Sequence, residues 1–318
     1  MKFDWKSLPH PFFVLAPMEG ATDTCFRQIV GGCGAPDVYM SEFTSVDGMF
    51  SPGRVEVEQR LRYSEHERPL VAQIWGIDPE LFSRAAAHIV SLGFDAIDIN
   101  MGCPERSVVK RGACSALIKN PTLAAQIIQA TKDAAGTLPV SVKTRIGFDE
   151  IAIDTWIAHI LAQRPAALTV HLRTTAEMSD VPAHWECADE IRALRDKISP
   201  QTILIGNGDV KSRAEGIEKA TQYGYDGIMI GRGIFHNPYV FNPHVNWAEC
   251  TKQQRLQLLK KHVDLFTLTW GDTKHFATLK RFVKVYTSGF EGSAAVRDEM
   301  MKTATLEELS HIIHQHLE

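Results

Sequence analysis

Eight short apolar runs recur along the chain, with amphipathic stretches between them. They are FFVLAPM from Phe12, VYMSEF from Val38, LVAQIWG from Leu70, AIDINMG from Ala96, VSVKTRIG from Val140, ALTVHLR from Ala167, ILIGNG from Ile203 and GIMIGRG from Gly227. Near-continuous apolarity, rather than alternation, suits parallel strands buried on both faces. The runs start roughly 31 residues apart, the length of one strand–helix unit. Helices are predicted over 79–92, with Asp78 as cap and Gly93 as stop, over Pro121–Ala135 behind Asn120, and over 211–223 ahead of Gly224. Eight repeats predict an α/β fold, a (β/α)₈ TIM barrel, in preference to an open doubly wound sheet.

After Asn237-Pro238 the strand-like runs stop. Helices are predicted near 249–270, 273–287, 294–302 and 305–316, the last opened by a Thr305/Glu308 capping box. The chain therefore divides into a barrel, 1–245, and a small C-terminal helical domain, 246–318, that leans on it.

Barrel enzymes carry their sites at the C-terminal ends of the strands. Those ends here are polar: Pro17-Met18-Glu19, Glu42, Gln73, Asn100 with Cys103, Lys143 with Arg145, His171 with Arg173, Asn207-Gly208-Asp209 and Gly231-Arg232-Gly233. Glycine turns after the last two strands suit a phosphate, with Arg232 as a charged clamp. Lys143 and His171 end neighbouring strands and together suit the negative charge that a reduced flavin gains near N1 and C2=O. Cys103 lies in a turn close to Arg106, Lys110 and Arg111, a setting that favours a functional thiol. Cys25, Cys33, Cys187 and Cys250 read as packed, inert thiols, and Cys114 is left open.

Composition narrows the class. The chain has 318 residues, 44 % hydrophobic and 23 % charged, with six cysteines and no C-x-x-C pair. No metal site is expected, and no disulfide framework. No apolar run is long enough to span a bilayer. Asp4 and the early prolines interrupt the stretch an export signal needs, so a cytoplasmic protein is expected.

At these residues the sequence resembles the flavin-dependent dihydrouridine synthases. The matching stretches are LAPMEGATD (15–23), SEF (41–43), VAQIWG (71–76), DINMGCP (98–104), ALIKNP (116–121), VSVKTRIG (140–147), GNGDV (206–210) and IGRG (230–233), with LKRFVKVYTSGFEG (279–292) in the tail. The resemblance implies FMN held by Pro17, Met18, Gln73, Lys143, His171, Asn207, Gly208, Asp209, Gly231 and Arg232. It also implies NADPH as reductant, and tRNA (or ribosomal RNA) as substrate of a monomeric enzyme. Uridine would be reduced at C5=C6, with hydride delivered to C6 and a proton from Cys103 to C5, beside Asn100 and Arg145. The sequence departs from the family pattern at His171-Leu172-Arg173, at TTAEMSDVPAHW behind it, and at Ala113-Cys114-Ser115. Two alternatives stay open: reduction of a free pyrimidine, as in dihydroorotate dehydrogenases, and an RNA-binding protein with a decayed redox site.

The formal net charge of −4 argues against nucleic acid until it is divided. The tail carries +1 and the barrel −5. The tail holds Lys280, Arg281 and Lys284, on the domain such enzymes use for RNA, and these are expected to bind it. Arg106, Lys110, Arg111 and Lys119 form a second basic strip beside Cys103.

Overall fold

A computed structural model describes residues 2–318. Eight parallel strands close into a barrel in sequence order: β1 (Phe12–Leu15), β2 (Val38–Ser45), β3 (Leu70–Trp75), β4 (Ala96–Met101), β5 (Val140–Gly147), β6 (Ala167–Thr174), β7 (Ile203–Asn207) and β8 (Gly227–Ile230). Closure pairs Leu15 of β1 with Ile230 of β8.

The continuous apolarity of the strands follows from two separate cores. Phe12, Val14, Met40, Val71, Ala96, Ile205 and Met229 fill the barrel interior, which Trp5 caps against Phe12. Phe13, Leu15, Ile97, Ile99, Val142 and Leu204 point the other way, into the layer of helices. Successive side chains alternate across a strand, so both faces must be apolar.

The helices begin and end where local chemistry stops the backbone. Asp78 accepts the Glu80 N–H at the head of Pro79–Ser91, and Asn120 accepts the Leu123 N–H at the head of Pro121–Ala135. The third predicted helix starts two residues late, as Arg213–Tyr223, because the Ser212 hydroxyl caps it by accepting the Glu215 N–H.

The tail comprises Lys252–Trp270, Ser293–Lys302 and Leu306–Leu317, with two short turns, Ala277–Lys280 and Val283–Tyr286. The continuous helix predicted over 273–287 does not form. Leu279, Phe282, Val283, Val285 and Tyr286 are all buried, and Val285 lies off the face the other four would share. The chain turns twice and buries all five. At Leu306–Leu317 the Glu308 carboxylate accepts the Ala304 N–H rather than that of Thr305, so the predicted capping box is half made.

The tail is joined to the barrel by packing and by charge. Phe282 stacks on Phe26 of the Thr24–Gly34 helix at 4.7 Å. Lys274 pairs with the buried Asp23 at 2.6 Å, and Arg281 donates to the Gly20 carbonyl. One hydrophobic cluster runs from the barrel's helical layer into the tail.

Candidate active site

Strand register assembles the site. Across the ladders Gln73 lies beside Asp98 and Asp98 beside Ser141, one level below Asn100 beside Lys143. Arg145 lies beside His171 and His171 beside Asn207. Residues two apart on a strand share a face, so Asp98 and Asn100, Lys143 and Arg145, and His171 and Arg173 come as pairs. Two irregularities re-aim the rim, one between Met40 and Phe43 and one between Arg145 and Gly147. At the first, the Ser41 hydroxyl accepts the Gln73 N–H that the ladder leaves over. At the second, the Glu150 carbonyl lies where a Cβ on Gly147 would sit, so glycine is required.

Two cavities open at this end of the barrel. The first, about 310 Å³, is lined by Pro17, Met18, Lys143, His171, Asn207, Gly208, Asp209, Gly231 and Arg232, nine of the ten residues expected to hold a cofactor. The tenth, Gln73, is fully buried beneath it. The second, about 470 Å³, is lined by Cys103 together with Glu19, Phe43, Arg60, Trp75 and Met178.

The donor set of the first cavity, an ammonium, an imidazole and two glycine turns beside a guanidinium, suits the charge that a flavin nucleotide carries. Lys143 reaches it, with the buried Asp98 carboxylate close enough to oppose the fall in its pKa. Burial, reinforced by Arg145, lowers its pKa to about 8, so it is cationic at neutral pH. His171 Nε2 accepts from Arg173 Nη1 at 3.0 Å, which leaves the proton on Nδ1. Burial and the surrounding cations Lys143, Arg145 and Arg173 push its pKa well down, so the ring is neutral and a donor. At the glycine turns, Gly208 has φ +140° and a Cβ there would meet Ala183 at 2.6 Å. Arg232 stands exposed at the rim, its guanidinium 3.4 Å from Asp209.

A buried hydrogen-bond chain leads to the thiol. The Asp98 carboxylate accepts from Ser141 (2.6 Å) and from the Gln73 amide (2.7 Å). Gln73 in turn accepts from the Asn100 amide (3.0 Å), and Asn100 Oδ1 accepts the N–H groups of Gly102 and Cys103 at 3.0 and 2.9 Å. Burial raises Asp98 to about 6, with the Ser141 and Gln73 hydrogen bonds opposing. A hydrogen bond from Cys114 lowers the Cys103 thiol to about 7, against burial that raises it. Cys114 itself is buried and pushed well up.

Several residues expected to contact the substrate also make hydrogen bonds within the protein. Arg145 donates to the carbonyls of Gly102 (2.8 Å), Thr174 (2.8 Å) and Met178 (2.7 Å). It joins the loops behind β4 and β6. Lys280 donates to the carbonyls of Met301 (2.8 Å) and Thr303, at the end of the Ser293–Lys302 helix. Arg281 is tied to Gly20 at the barrel rim, and Lys284 stands exposed. In the strip beside Cys103, Arg106 and Lys110 are exposed, whereas Arg111 bonds Asp47 and lies over Trp75, and Lys119 pairs with Asp149.

Arg173, Asp98, Ser141 and Cys114 were given no role by sequence reasoning. Arg173 lies buried between His171 and the Asp209 carboxylate and orients both. The period-two spacing from His171 to Arg173 and from Asp98 to Asn100 was the available signal.

The profile of the dihydrouridine synthase (Dus) family matches residues 14–318. A probable tRNA-dihydrouridine synthase of Staphylococcus aureus (strain COL) is 46 % identical over 98 % of this chain and 94 % of its own length. A probable tRNA-dihydrouridine synthase 2 of Bacillus subtilis (strain 168) is 46 % identical over 97 % and 95 %. Among solved structures, 6-hydroxypseudooxynicotine amine oxidase from Pseudomonas geniculata N1 superposes with TM-score 0.54 at 14 % identity, covering 73 % of this chain and 46 % of that one. TcOYE with pHBA superposes at 0.52 and 11 %, covering 72 % and 87 %. At such identities these two share the fold.

Proposed function

The chain belongs to the dihydrouridine synthase family, an oxidoreductase family, and from that premise we propose that it reduces uridines of tRNA at C5=C6, using bound FMN and NADPH, as a cytoplasmic monomer. One observation carries the reading. A cavity lined by Lys143, a neutral His171 and two glycine turns meets, at Met178 and Ser179, a second cavity that holds Cys103.

A flavin bound in the first cavity would supply the hydride that reduces the pyrimidine at C6. Lys143 and the Nδ1–H of His171 would hold the part of the ring system that gains charge, and Arg232 with the glycine turns would hold the phosphate. Cys103 donates the proton to C5. With a pKa near its working pH, it is still largely a thiol below pH 7 and is readily re-protonated. Asn100 fixes the backbone that carries it. A uridine inside a folded RNA must leave its stack to reach this cavity. Exposed Arg106, Lys110 and Lys284 offer charge for the RNA backbone.

The test is spectroscopic. Purified protein is expected to show an FMN spectrum that NADPH bleaches and that tRNA restores. Free uridine or orotate restoring it equally well would instead support the free-pyrimidine reading, and colourless protein the decayed-site reading. Mapping dihydrouridine in cellular RNA with and without the gene separates tRNA from ribosomal RNA.

A further inference from the structure

Resting on the tRNA-reductase reading, we propose that Met178 is a positioning residue for the target base, the tip of a ridge between the two cavities. Met178 lines the cavity of Cys103, Phe43 and Trp75, while the next residue, Ser179, lines the cavity of Lys143 and His171. Two consecutive residues therefore face the two halves of the reaction.

The backbone at Met178 is left-handed, φ +52°, a conformation that side chains other than glycine rarely adopt. The surroundings enforce it. Arg145 donates to the Met178 carbonyl at 2.7 Å and to the Thr174 carbonyl at 2.8 Å. Arg173 donates to the Val181 carbonyl at 2.7 Å. The Glu177 carboxylate accepts the Thr174 N–H at 2.7 Å and is held by His184 at 2.8 Å. The same arginines contact the loop of Cys103 and the ring of His171, so the ridge is built from the site's own framework.

Packing does not account for the strain. The Met178 side chain is 37 % exposed and faces a cavity rather than the core. A strained conformation that the surrounding structure over-determines, at the mouth of a site, points to function. A thioether is unbranched and polarisable, and it packs well against a flat ring. At this boundary it would limit how a pyrimidine lies, keeping C5 toward Cys103 and C6 toward the neighbouring cavity.

The experiment compares Met178→Gly and Met178→Leu with the wild-type holoenzyme. Glycine relieves the left-handed strain but removes the ridge, whereas leucine keeps its bulk. Met178→Gly is expected to melt at the same or a higher temperature and to be reduced by NADPH at the wild-type rate. At saturating tRNA its kcat should fall by about tenfold or more, the scale of a small misplacement of reacting atoms. Met178→Leu should recover to within about threefold of wild type, since a volume-conserving swap keeps the shape. A glycine variant with wild-type kcat, a glycine variant that melts lower, or a leucine variant as slow as glycine overturns the proposal. Wild-type reduced flavin that no tRNA oxidises overturns the function itself, and the ridge with it.

Discussion

Asn100 Oδ1 accepts the backbone N–H of Cys103 at 2.9 Å while its amide donates to Gln73 at 3.0 Å. Asn100 therefore ties the thiol-bearing turn to the buried Gln73–Asp98–Ser141 chain. Asn100→Ala would leave the Gly102 and Cys103 N–H groups and the Gln73 oxygen without partners. It is expected to cost about 1–3 kcal/mol of stability, the penalty for stranding buried polar groups. Dihydrouridine formation should fall further than NADPH-driven flavin reduction, measured side by side.

Cys103→Ala is expected to keep flavin binding and reduction by NADPH and to lose nearly all dihydrouridine formation. RNA turnover at the wild-type rate would show that the proton to C5 comes from elsewhere.

The same thiol sets a pH dependence. A general acid works while protonated, so the proton-transfer rate should decline as pH rises through about 7, where the hydrogen bond from Cys114 holds Cys103. Cys114→Ala removes that bond and lets the Cys103 pKa rise. The alkaline limb should move to higher pH, as read from single-turnover oxidation of the reduced enzyme by tRNA.

Glu42 is buried, accepts the Gly20 N–H, and is pushed by burial from 4.5 to about 7, with Lys274 opposing and Asp23 and Glu19 adding to the rise. The folded state therefore holds this proton more tightly than the unfolded chain. Its stabilising contribution is complete below about 4.5 and is lost as pH rises through about 7. Glu42→Gln keeps an acceptor for Gly20 and should flatten that decline, by at most about 3 kcal/mol at neutral pH. Denaturant melts at pH 5 and pH 8 would check it.

The basic residues of the tail should separate by role. Lys284→Ala is expected to weaken tRNA binding modestly and to lower the slope of affinity against salt by about one, with an unchanged melting temperature. Lys280→Ala should lower the melting temperature, because the Met301 and Thr303 carbonyls lose their donor. An unchanged salt slope for Lys284→Ala would remove the tail's proposed part in RNA binding.

The sequence by itself determined the barrel. Every strand begins at the residue where its apolar run begins, from Phe12 to Gly227. Burial on both faces leaves a continuous apolar signature, and caps such as Asp78 and Asn120 act on N–H groups only two or three residues away. The first cavity was legible for the same reason, since a barrel always collects the ends of its strands at one mouth. Partners far apart in the chain were decided only by tertiary structure. Arg145 resembles a substrate clamp in one dimension, yet it is held by carbonyls 29 and 33 residues on. Lys280 resembles a phosphate contact, yet Met301 and Thr303 hold it. The left-handed turn at Met178 likewise follows from Arg145 and Glu177 holding the loop behind β6. A long cationic side chain carries no local sign of its partner, because strand register and loop closure choose among acceptors that composition and spacing leave equivalent.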